Sequence, residues 1–165
     1  KPHLIIEALN KIKSQDIQLY IVGPTPNENY LSQLETLVQK YDLEDQVTFT
    51  GSVNRESVME HYSETNLMIL PSVSEGLARV IFESQVTACP VLVTDAPGMG
   101  DIVIDGQTGY IFESNNLESL TNKIQEIKNN YEDAIHVGNN AKDFILSNYS
   151  ADNFKFSFKK LFDTV

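Results

Sequence analysis

Apolar residues along this chain alternate between two rhythms. Short runs rich in β-branched side chains read as strands: Gln18–Gly23, Gln46–Gly51, Leu67–Ser72, Pro90–Thr94 and Gly109–Phe112. Several of them stop at Gly, Ser or Pro. Between them, apolar positions recur at helical spacing. Leu4, Ile5, Ala8, Leu9 and Ile12 mark one helix, Pro2–Lys13, and Leu31, Leu34, Leu37, Val38 and Tyr41 mark the next. The same spacing predicts helices over 56–62 and 79–86, and three more after the last strand, over 117–130, 132–147 and 151–162. Pro24–Asn29 is a polar loop and Asn115–Asn116 a turn.

Strands that are apolar throughout and separated by helices imply a parallel sheet covered on both faces. Right-handed crossovers then wind it in both directions. The expected fold is α/β, a doubly wound parallel sheet of Rossmann type, formed as one domain over 1–165. Its opening helix has no strand before it. The first strand of such a sheet is central, so the expectation is that upstream residues, or a strand from elsewhere, complete it. The chain reads as a fragment.

Length and composition narrow the class. The 165 residues suffice for one domain. The longest apolar runs, Leu67–Leu70 and Val91–Val93, fall far short of the roughly 20 residues of a membrane span. No signal peptide is apparent. The net charge of −11 disfavours a nucleic-acid partner. The lone Cys89 permits no disulfide framework and reads as a small buried hydrophobe in a reducing cytosol. His3, His61 and His136 lack metal-ligand spacing, so no metal is expected. No Walker A loop, Gly-x-Gly-x-x-Gly or nucleophile elbow occurs.

The chemistry concentrates in Pro71–Glu83. A strand ends, a short loop carries Glu75-Gly76, and a helix begins that carries Glu83. Open α/β sheets bind ligands outside the carboxyl ends of their strands. A glycine there lets backbone approach the ligand, and the free N–H groups of the new helix suit a phosphate. A carboxylate accepts two hydroxyl hydrogen bonds at once, as vicinal ribose hydroxyls require. Taken singly, Glu75 is a helix N-terminal charge and Glu83 an exposed helix residue. The neighbouring segments favour a functional reading of both.

This stretch resembles the E-x7-E motif of retaining GT-B glycosyltransferases, with Glu75 and Glu83 as its two acids. The likeness extends along most of the chain. Ala88–Thr94 resembles that family's small-residue strand with Pro-Val, Pro97-Gly98 to Asp101 its glycine turn and acid, Val103–Phe112 its D-G-x-T-G-x-L ending, and Gln46–Val53 its strand and G-x-V loop. The resemblance implies the C-terminal, nucleotide-sugar-binding domain of such an enzyme. Glu75 would contact the donor sugar as the catalytic acidic residue, and Glu83 would hold the ribose hydroxyls. The backbone of Gly76, Leu77, Ala78 and Arg79 would meet the sugar and distal phosphate, with Val80 near the ribose. Gly51, Ser52 and Val53 would lie beside the base, and Gly23 would leave room at its strand end. No role is assigned to Lys1.

The implied reaction moves a hexosyl group from a UDP- or GDP-sugar to a glycan or lipid-linked acceptor without a metal cofactor. Acceptor contacts belong to an N-terminal domain outside this sequence, so the domain alone is expected to be inactive. The implied setting is bacterial cell-surface polysaccharide assembly, in the cytoplasm at the inner face of the membrane. The sequence departs from the family pattern at Ala78, in place of a second glycine, and at Pro97 and Asp101. Arg79 suits a sugar anion or, more simply, an ion pair with Glu83 four residues on. Ala78 and Pro97 favour a rival reading, a non-catalytic nucleotide-sugar or partner-binding module. The stripe of Phe154, Phe158 and Phe162 reads as packing.

Overall fold

A computed structural model describes residues 1–24, 27–74, 79–100 and 102–149. Along these, five strands alternate with helices: α1 (Pro2–Ile12), β1 (Leu19–Val22), α2 (Glu28–Lys40), β2 (Val47–Gly51), α3 (Arg55–Glu64), β3 (Met68–Leu70), α4 (Arg79–Val86), β4 (Val91–Thr94), β5 (Tyr110–Phe112), α5 (Leu117–Asn129) and α6 (Tyr131–Asn148). The expected helix over 151–162 and the phenylalanine stripe lie outside the described residues.

Each strand run holds the strand expected of it, trimmed at its ends for identifiable reasons. Pro71 has no N–H for a ladder, so β3 stops at Leu70. Gln46 is buried for a different task. Its side-chain amide donates to the carbonyls of Ser14 and Ile17, each at 2.8 Å, and closes the α1–β1 turn. The loop expected over Pro24–Asn29 is shorter than foreseen, because Asn27 caps α2 by accepting the Asn29 N–H at 2.8 Å.

Every strand pair is parallel. β1 pairs with β2, and β3-β4-β5 form a second ladder. Side chains alternate between two faces. On one, Leu92, Tyr110, Phe112 and Ile69 pack with α1 and α5, and Val47, Ile21 and Phe49 pack with α1 and α2. On the other, Val91, Val93, Met68 and Leu70 pack with Ile81 of α4 and Ile145 of α6. Helices on both faces of parallel strands make the architecture α/β and doubly wound. β4, paired on both sides, is buried at all four positions.

Two glycines permit the tightest approaches. A Cβ on Gly109 would lie 2.6 Å from Val91 Cγ2. A Cβ on Gly138, in α6, would lie 2.2 Å from the carbonyl oxygen of Ala88. Ala88 already sits at φ 63° in the turn between α4 and β4, so its backbone has little room to yield. Gly138→Ala is therefore expected to lower stability by about 1–3 kcal/mol, as overpacking does. Urea unfolding monitored by circular dichroism checks this.

Candidate functional site

The site is defined by the edge where the strands end. Because all strands run parallel, the loops after β1, β2, β3 and β4 leave the same side. Gly23 follows β1 at φ 129° and Gly51 closes β2 at φ 65°. Both conformations favour glycine. The Gly23 N–H donates to the Gly51 carbonyl at 3.0 Å, so two of the sequence-derived residues are held together. Ser52 and Val53 then lead to Asn54. Its side chain accepts the Ser57 N–H at 2.8 Å and caps α3.

The ends of β3 and β4 are tied in the same manner. Thr94 Oγ1 donates to the Ser72 carbonyl. Asp95, exposed just beyond β4, accepts the Ser114 N–H at 2.8 Å. Hydrogen bonding from Ser114 holds the Asp95 carboxyl below its ordinary range. Asp95 lies just past the carboxyl end of β4 and carried no motif to announce it.

Glu75, Gly76, Leu77 and Ala78 lie outside the described residues, as does Asp101. Arg79 and Val80, both exposed, are the first two residues of α4. Glu83 sits one turn further on and is half-buried. Its carboxylate acts electrostatically on Tyr62 of α3. Burial, then the Glu83 carboxylate, then Cys89 push the Tyr62 phenol up to about 12. Sequence reasoning missed this neighbour, because nothing in the spacing of Tyr62 relates it to Glu83.

The simple ion pair expected between Arg79 and Glu83 does not form. Among the described residues the ion pairs are Lys123–Glu126 and Lys128–Asp16. Glu83 is half-buried, whereas Arg79 is exposed. Arg55 and Arg79 are the chain's two arginines, and they are the first residues of α3 and α4. A cation in the first turn opposes the helix dipole by about 0.3–1 kcal/mol. Both arginines thus stand at the edge where an anion would be welcome, in a chain whose net charge is −11.

Among the described residues, no cluster of His, Cys, Asp and Glu has the arrangement of a metal site, and no helix is long and apolar enough to cross a membrane. Cys89 is buried and its thiol is pushed up by burial, in keeping with a packing role.

Known proteins carry the same design. The model of the family described as glycosyl transferases group 1 matches residues 1–144. An uncharacterized glycosyltransferase of Methanocaldococcus jannaschii is 31% identical over 136 residues, covering 82% of this chain and 38% of its own length. The capsular polysaccharide biosynthesis glycosyltransferase CapM of Staphylococcus aureus is 24% identical over 159 residues, covering 90% of this chain and 39% of its own. Among solved structures, Anabaena Alr3699/HepE in complex with UDP and glucose superposes with a TM-score of 0.88 at 19% identity, over 99% of this chain and 44% of that one. The C-terminal domain of the Francisella tularensis glycosyl transferase group 1 protein LpcC gives 0.83 at 21% identity, over 91% of this chain and 80% of that one. The chain spans about two-fifths of the length of the M. jannaschii and S. aureus relatives. It belongs to the glycosyl transferases group 1 family.

The Tyr62–Glu83 proximity can be checked by titration. Tyr62 ionisation, read at 295 nm and identified by its loss in Tyr62→Phe, is expected near pH 12. Glu83→Gln should lower that value yet leave it above 10, since burial is the larger cause. The raised phenol contributes stability that is complete below the unfolded value near 10 and is lost as pH climbs toward 12.

Proposed function

We propose that this member of the glycosyl transferases group 1 family is a donor-binding domain. It would hold a UDP- or GDP-hexose for transfer, with retention of configuration, to a glycan or lipid-linked acceptor. The observation that carries the reading is the convergence at one sheet edge of the Gly23–Gly51 turn, the capped start of α3 and the start of α4, which bears Glu83. Together they offer backbone room, free helix N–H groups and a carboxylate, which are the requirements of a nucleoside diphosphate.

In this reading Gly51, Ser52 and Val53 flank the base, and Glu83 accepts both ribose hydroxyls. Val80 packs near the ribose. The backbone from Gly76 to Arg79 meets the distal phosphate and sugar, and Glu75 contacts the sugar being transferred. The leaving diphosphate is stabilised by helix N–H groups and basic side chains without a metal ion. The acceptor and any base sit on an N-terminal domain, and the domain alone is inactive. Family membership and the likeness to CapM support a role in bacterial surface polysaccharide assembly, in the cytoplasm beside the membrane. The likeness to HepE, a protein solved in complex with UDP and glucose, supports a uridine donor.

Calorimetric titration of the full-length protein with UDP, GDP and ADP tests the reading. One nucleotide is expected to bind, and Glu83→Ala to weaken it by about 1–3 kcal/mol, the loss typical of a charged hydrogen-bond acceptor. Absence of binding by every nucleotide would overturn it.

A further inference from the structure

Of the three residues that α4 buries, two are polar. Ile81, Ser84 and Gln85 form its interior face, and all three are wholly inaccessible. The apolar residues of the helix do not gather there. Val80 is exposed, and Phe82 and Val86 are only partly buried. Together with Ile81 they spread around more than half of the helix circumference. Burial of apolar surface therefore leaves the rotation of α4 loosely determined. Two side-chain hydrogen bonds determine it: Gln85 Nε2 donates to the Thr108 carbonyl at 2.8 Å, and Ser84 Oγ to the Cys89 carbonyl at 3.3 Å.

The anchor for Gln85 is itself held firmly. Thr108 Oγ1 accepts the Ile104 N–H at 2.9 Å and donates to the Ile102 carbonyl at 3.4 Å. The Thr108 N–H donates to the Ile104 carbonyl at 2.9 Å. Gly109, next in the chain, has no room for a Cβ between Val91 and Val103. Stability alone does not call for a glutamine here. Gln85 Oε1 is buried and has no hydrogen-bond partner among the described residues. An unpaired buried oxygen costs free energy that a methionine of the same length would avoid. A buried polar group kept at that cost is accounted for by the orientation it imposes.

We propose that Gln85 is a positioning residue for Glu83: its bond to Thr108 fixes the rotation of α4 and its depth against the sheet, and so sets where the Glu83 carboxylate and the first turn of α4 stand at the carboxyl edge. Glu83 lies two residues before Gln85, about 3 Å along the helix axis. The helix has only 8 residues, so a bond near its end governs its start. The role at the edge rests on the donor-site reading, whereas the orientation of α4 rests on burial and hydrogen bonds.

Tyr62 reports that orientation without a nucleotide, because the Glu83 carboxylate helps to raise its phenol. In the full-length protein, Gln85→Met is expected to keep the far-UV circular dichroism of the wild type. Its Tyr62 midpoint, read at 295 nm, should fall toward that of Glu83→Gln. Calorimetry at pH 6 supplies the second reading. The nucleotide that the wild type binds should bind Gln85→Met about tenfold more weakly, the equivalent of one hydrogen bond. Gln85→Glu, protonated where it is buried and still a donor to Thr108, should retain the affinity. Gln85→Asn, one methylene too short for the Thr108 carbonyl, gives the same two readings as Gln85→Met should the methionine variant not fold. A folded variant without the Thr108 bond whose Tyr62 midpoint stays at the wild-type value would overturn the orienting role. A lowered midpoint with undiminished affinity would overturn the role at the ligand edge. Failure of the donor-site reading shows separately, as absence of nucleotide binding by the wild type, and leaves the Tyr62 measurement intact.

Discussion

Parallel pairing is the constraint on which the rest of this structure depends. A parallel strand cannot return by a tight hairpin, so each strand is followed by a crossover, here a helix in most cases. Helices then cover both faces, which is why β4 carries Val91, Leu92, Val93 and Thr94 with none of them exposed. The same constraint brings every strand out on one side. Loops distant in sequence are thereby delivered to a common edge, and short hydrogen bonds fasten them there: Gly23 to Gly51, Thr94 to Ser72, Ser114 to Asp95.

That edge holds both of the chain's arginines beside the carboxylates Glu56, Glu83 and Asp95. With a net charge of −11, the protein as a whole repels anions. The edge gathers the starts of α3 and α4, each opened by an arginine that its own helix dipole does not favour. Glu83 and Arg79 form no ion pair with each other, so the carboxylate and the guanidinium are separately available. A ligand bearing both hydroxyls and phosphates would use both.

Much of this was legible in the sequence because two periodicities barely overlap. Runs such as Pro90–Thr94 have no helical alternative, and Leu31, Leu34 and Val38 have no extended one. Membership of the glycosyl transferases group 1 family and the α/β class followed from ordered motifs, and the likeness to known proteins bears both out. What was not legible depends on distance across the fold. The partner of Gln46 is the backbone of the α1–β1 turn, and Tyr62 feels the charge of Glu83 only because α3 packs on α4. The expected Arg79–Glu83 pair does not form either. Spacing of four residues on a helix permits an ion pair but does not impose one. Asn27 and Asn54 show a milder case, since capping residues are easy to suspect and the loop boundary they set is hard to place.

The central claim is that the carboxyl edge of the sheet receives the nucleotide. Photolabelling tests it most directly: the full-length protein is irradiated with an azido analogue of whichever nucleotide binds, and the labelled peptides are sequenced. The account expects the label on peptides spanning Gly51–Arg55 or Arg79–Glu83, displaced by an excess of the unmodified nucleotide. Displaceable label confined to α5, or to the opposite edge around Ser14–Ile17, would contradict it.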